Sequence, residues 1–113
     1  MEENLAEKNV CWAYVAALAD KYQKPLILAE IGGPETEEKE TYELLRSAVR
    51  SIKAVPDHQG KGIFYWEPEV GADLLPDHYP LGAARVQGEK NIEFTCAMNT
   101  YKDAQAEENK SNK

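Results

Sequence analysis

Apolar residues recur along this chain in two patterns that alternate: three- and four-residue spacing, and short unbroken runs. Val10, Cys11, Tyr14, Val15, Leu18 and Tyr22 follow the first, behind Asn4 and Glu7 at the spacing of a helix start. They predict a first helix ending near residues 21–23. Leu26-Ile27-Leu28-Ala29 is an unbroken run between Pro25 and Gly32-Gly33-Pro34, which reads as a strand over 25–30 buried on both faces. Helical spacing returns with Leu44, Leu45, Ala48, Val49, Ile52 and Val55. That predicts a second helix, capped by Thr36, acidic in its first turn at Glu37, Glu38 and Glu40, and stopped by Pro56. After a loop over 57–62, Ile63-Phe64-Tyr65-Trp66 forms a second buried run. An irregular proline-containing stretch follows, pinned by Leu74, Leu75, Tyr79 and Leu81. Ile92, Phe94, Ala97, Met98 and Tyr101 then predict a last helix over 91–103. No internal repeat is present.

The order is therefore helix, strand, helix, strand, helix. Two buried strands joined through one helix pair in parallel, so the expected class is α/β. A lone two-stranded sheet leaves its edges uncovered, which favours one end of a larger α/β protein over a minimal independent domain. At 113 residues the chain is one small domain in size, well short of a complete eight-stranded barrel of about 250 residues. Residues 105–113 hold no hydrophobe larger than Ala106 and are expected to be a disordered tail.

Composition narrows the partners. The net charge of −7 argues against nucleic acid or an anionic membrane, both of which require clustered Lys and Arg. No run approaches the roughly 18 apolar residues of a membrane-spanning helix, and Met1-Glu2-Glu3-Asn4 lacks the basic-then-apolar order of a secretion signal. Cys11 and Cys96 have no metal-ligand spacing. They read as buried thiols, with a disulfide open if their helices pack side by side. Asp73, Asp77 and Glu69 lack the spacing of a calcium loop, so neither metal nor cofactor is expected.

The chemistry concentrates where each strand ends in a carboxylate, at Glu30 and in Trp66-Glu67-Pro68-Glu69. An acid at the carboxyl end of a buried strand costs stability unless it is solvated or used, and in barrel enzymes that end carries the chemistry. Glu30 is the candidate catalytic residue. Trp66 can stack on the apolar face of a sugar ring or pack in the core, and Glu67 can contact sugar hydroxyls or balance a neighbouring base. Tyr65 is expected to point into the helix layer. His58 and His78 read as surface residues.

Leu26-Ile27-Leu28-Ala29-Glu30, Gly32-Gly33-Pro34 and Gly60-Lys61-Gly62-Ile63-Phe64-Tyr65-Trp66-Glu67-Pro68 together resemble the last quarter of glycoside hydrolase family 53, the arabinogalactan endo-β-1,4-galactanases. The resemblance runs over about residues 10–104. It implies a partial (β/α)8 TIM barrel with strands seven and eight at 25–30 and 63–66. Residues 1–104 would be the C-terminal segment of a glycosidase barrel whose remaining segment is a partner. Glu30 matches the family's nucleophile. A retaining mechanism also needs an acid/base carboxylate about 5 Å away, which the family carries in an Asn-Glu pair on strand four. No such pair stands in a strand context here, so the chain alone is expected to be inactive. Gly32 and Gly33 also depart from the aromatic residue that many members carry shortly after the nucleophile.

The implied function is hydrolysis of galactan or arabinogalactan by a secreted or cell-surface parent, with Trp66 and Glu67 shaping the sugar sites. Two alternatives stay open. One is a related clan glycosidase acting on mannan or glucan. The other is a non-catalytic α/β carbohydrate-binding or interaction module.

Overall fold

The computed structural model describes residues 14–70, 80–88 and 90–111. Helical residues 14–22 (α1) lead into β1 (Leu26–Ile31), a 3-10 turn (Glu35–Glu37), α2 (Glu38–Lys53) and β2 (Gly60–Tyr65). Then come β3 (Ala84–Gln87), β4 (Asn91–Phe94), a 3-10 turn (Cys96–Met98) and α3 (Asn99–Ser111). The architecture is α/β, with β1 and β2 parallel and β3 and β4 an antiparallel hairpin. The expected helix start at Asn4 and Glu7, Cys11, and the loop anchors Leu74, Leu75 and Tyr79 lie outside the described residues.

α2 organises the core. Its apolar stripe puts Leu45, Ala48 and Ile52 against Ile63 of β2 and Ala97, and Leu28, Ile31, Tyr65, Val15 and Tyr101 pack around that cluster. These partners belong to both strands and to α1 and α3, so all three helices meet the sheet on one side. Tyr14 and Tyr22, placed on the apolar stripe of the first helix, are instead exposed, and Val15 and Ala19 do the packing. The other side is open: Ile27 is 53 % and Phe64 61 % exposed. The expectation of strands buried on both faces is thus met on one face only, because every described helix that packs on the sheet lies on the α2 side.

Three further boundaries differ from the sequence reading. β2 begins at Gly60, inside the expected loop. Residues 91–94 are a strand rather than the start of a helix, because Ala84, Arg85, Val86 and Gln87 pair with Phe94, Glu93, Ile92 and Asn91 across a turn at Gly88, where φ is +71°. Residues 105–111, expected to be a disordered tail, continue α3.

That continuation has a polar cause. Arg46 is buried on α2 and pairs with Glu107; Lys53 Nζ reaches Glu108 at 3.1 Å; and the Tyr42 hydroxyl donates to Asp103 at 2.5 Å. Thr100, fully buried, donates to the Tyr42 carbonyl at 3.2 Å. Cross-helix pairs order a segment with almost no apolar face of its own.

The two ion pairs differ in burial and so in worth. Removing Glu107 strands a guanidinium whose side chain is only 10 % exposed, whereas Lys53 and Glu108 are both about half exposed. Glu107→Ala is expected to cost about 1–2 kcal/mol and Glu108→Ala no more than about 0.5 kcal/mol. Urea midpoints of the two variants check the order, and equal shifts would contradict it.

Candidate functional site

β1 and β2 carry their chemistry at the same end because they are parallel, and the pairing continues past the strands. The Trp66 backbone N–H donates to the Ile31 carbonyl at 3.0 Å. Glu30, one residue before Ile31, is exposed, and Trp66, the first residue after β2, is 47 % exposed. Glu67 is half-buried and holds a left-handed backbone, φ +49°, which is uncommon for a residue with a side chain.

A register irregularity aims Glu30. Leu28 pairs with Ile63 and Ile31 with Tyr65, so β1 spends three residue steps where β2 spends two. The extra residue falls at Ala29-Glu30. Without it, strand alternation would place Glu30 on the same face as Leu26 and Leu28, toward the core. With it, Ala29 and Glu30 are both exposed and Ile31 returns to the core side. A second irregularity at Lys61 of β2 offsets the first, so both strands span six residues from Leu26↔Gly60 to Ile31↔Tyr65.

The two strand-end loops are tied behind this site. Tyr65 packs into the core side, its hydroxyl donates to the Leu81 carbonyl at 2.6 Å, and it accepts from Gly33 N–H at 3.3 Å. Gly32 and Gly33 are small for packing reasons. A Cβ on Gly32 would lie 3.0 Å from Leu81 O and 3.3 Å from the Tyr65 ring, and one on Gly33 only 2.5 Å from Thr41 Oγ1. A side chain at Gly33 would require Thr41 to move, and one at Gly32 would crowd Leu81 and Tyr65. Thr41 in turn donates to the Pro34 carbonyl at 3.1 Å. Thr36, expected to cap α2, lies inside the 3-10 turn, and the helix has no side-chain N-cap bond.

Beyond the loop, Pro68 O accepts from Ala83 N–H at 2.8 Å, and Val70 packs so tightly on Gly82 that a Cβ there would overlap its carbonyl. Asp73, Asp77 and His78 lie outside the described residues, while His58 and Glu69 are exposed. Among the described residues no three His, Cys, Asp or Glu side chains are grouped to hold a metal ion, and no helix is long and apolar enough to cross a membrane.

The hairpin docks beside the first turn of α2. Arg85 pairs with Glu38 and also reaches the Glu35 carbonyl at 3.4 Å. Cys96 is a free, half-buried thiol in the same cluster, and burial, then a hydrogen bond to Glu38, push its pKa up. Sequence reading singled out neither Arg85 nor Glu38 as partners.

The sequence model of glycosyl hydrolase family 53 matches residues 5–111. The chain belongs to glycosyl hydrolase family 53. No curated protein and no solved structure matches it. The match takes in both strands, α2, the hairpin and α3, so Glu30 and Trp66 lie within the family region.

Two tests follow from packing and charge. Gly33→Ala should destabilise by about 1–3 kcal/mol through overpacking, and Thr41→Ala in the same chain should recover part of that loss. A double-mutant cycle measures the coupling, and strict additivity would contradict the contact. At Cys96 the raised pKa keeps the thiol protonated to higher pH than usual, and the thiolate is the reactive form. Glu38→Gln removes the carboxylate that holds the proton and leaves Arg85 beside the sulfur, so the pKa falls. Iodoacetamide labelling of Cys96 at pH 8, followed by peptide mass, should speed up; an unchanged rate would show that Glu38 does not govern the thiol.

Proposed function

We propose that this chain is the C-terminal part of a retaining endo-β-1,4-galactanase acting on galactan or arabinogalactan, with β1 and β2 as strands seven and eight of its (β/α)8 barrel. The observation that carries the reading is the convergence of an exposed carboxylate, Glu30, and a half-exposed indole, Trp66, at the carboxyl ends of neighbouring parallel strands in a chain of this family. Glu30 is the nucleophile in this reading, Trp66 a stacking surface for a sugar ring, and Glu67 a contact for sugar hydroxyls. The left-handed backbone at Glu67 supports a functional constraint there, since such conformations persist where the surroundings hold them.

The open face of Ile27 and Phe64 supports the barrel reading as well. In a closed barrel one face of each strand turns inward to the packed interior and the other meets the helices. Leu28, Ile31, Ile63 and Tyr65 meet the helices here, which leaves Ile27 and Phe64 for the interior. The remaining barrel segment is then the principal partner. A parent that acts on a polymer too large to cross a membrane works outside the cell, at the surface or in the medium.

The retaining mechanism proceeds in two displacements. Glu30 attacks the anomeric carbon as an acid on the opposite side of the bond protonates the leaving oxygen, and water then releases the glycosyl group from Glu30. Glu67 and Glu69 leave the strand adjacent to that of Glu30, not one across a barrel, so neither is placed as the opposing acid. The 113-residue chain is therefore expected to release no reducing ends from galactan.

In the complete enzyme, Glu30→Gln should lower kcat on the order of 10⁴-fold or more. A slow-turnover fluoroglycoside should leave its glycosyl group on Glu30 by peptide mass. Label on another carboxylate would overturn the assignment, and faster hydrolysis of mannan or cellulose than of galactan would overturn the substrate.

A further inference from the structure

Tyr65 has hydrogen-bonding reach out of proportion to its place in a strand. Its hydroxyl lies within hydrogen-bonding distance of three backbone atoms on two loops: Leu81 O at 2.6 Å, Gly33 O at 3.2 Å and Gly33 N at 3.3 Å. A hydroxyl has one proton, so the short bond is the donated one, to Leu81, while the oxygen accepts from Gly33 N–H. Gly33 is three residues past Glu30 and buried, and Leu81 lies on the far side of the excursion that begins at Trp66. The two loops leading away from the proposed nucleophile and the proposed stacking surface thus close on one oxygen atom.

The backbone repeats the arrangement. Tyr65 is the register partner of Ile31, which follows Glu30, and it directly precedes Trp66. On the helix side it packs against the core cluster, as Tyr101 of α3 does. The Gly32 position, where a Cβ would lie a tight 3.0 Å from Leu81 O and 3.3 Å from the Tyr65 ring, fits the same contact from the loop side.

We infer that Tyr65 is a positioning residue, whose hydroxyl fixes the loop after Glu30 against the loop after Trp66 and so sets the distance between nucleophile and sugar platform. It faces the core side and touches no substrate; it acts through Gly33 and the end of β1. The inference rests on the assignment of Glu30 as nucleophile. A misplacement of about 1 Å at a reacting group costs on the order of 10²-fold in rate, so even partial loosening of this tie is readable.

The trial is Tyr65→Phe in the complete enzyme, with Tyr42→Phe as a control that also loses one tyrosine hydroxyl bond, at the remote α2–α3 contact with Asp103. Rates are counted per site titrated with the fluoroglycoside, so that loss of folded protein does not pass for loss of rate. Tyr65→Phe should lower kcat about tenfold at a KM within twofold of the parent, while Tyr42→Phe leaves both unchanged. In the 113-residue chain, Tyr65→Phe should also speed amide exchange at Gly33. An active parent whose Tyr65→Phe form keeps its kcat, or loses no more than Tyr42→Phe does, overturns the positioning role and leaves Glu30 in place. A parent that is inactive, or labelled elsewhere than Glu30, overturns the assignment of Glu30 and the positioning role with it.

Discussion

Everything described depends on the burial of one helix stripe against one face of two strands. Leu45, Ala48 and Ile52 of α2 meet Ile63, with Leu28, Ile31 and Tyr65 around them. The contact holds β1 and β2 parallel, since the helix that joins them must lie back along the pair. Parallel strands bring their carboxyl ends together, and only then do Glu30 and Trp66 share an edge. α2 contributes nothing to the chemistry proposed for that edge, yet it determines that the edge exists.

A second layer of control is polar and local. The extra residue at Ala29-Glu30 turns a carboxylate off the core face at no cost to the hydrophobic cluster, because Ile31 resumes its place. The Trp66 N–H to Ile31 carbonyl bond holds the strand ends together, and the Tyr65 hydroxyl ties the loops behind them. The division is an ordinary one for α/β proteins: apolar area sets the layers, and a few directed bonds set the position of the groups at the strand ends.

How much of this is legible in the sequence follows from how each element is stabilised. The α2 stripe and the runs ending at Glu30 and Trp66 are legible, because burial dictates their spacing. The hairpin is not, although Gly88 between two four-residue segments is its signal. Ile92 and Phe94 alternate around Glu93 as a strand requires, but with Ala97, Met98 and Tyr101 after them they also complete a helical spacing. The last two turns of α3 have no apolar periodicity, and partners on another helix, Arg46, Arg50 and Lys53, order them. An acid at the end of a buried strand must be solvated or used, and Glu30 is exposed. The cause of that exposure, a register irregularity, depends on pairing between distant residues and leaves no mark in either strand alone.

The joint between α2 and β2 has a kinetic consequence. A Cβ on Gly60 would sit 1.9 Å from the Ile52 carbonyl oxygen, so the chain turns back onto the helix it has just left with no room for a side chain. Six residues, 54–59, make the whole connection. Strand, helix and returning strand therefore occupy one contiguous stretch, from residue 26 to residue 65, whose helix-to-sheet contacts close short loops. Short loop closures are the fast ones. This stretch can assemble before more distant parts of the chain arrive, so that the edge bearing Glu30 takes shape early in folding.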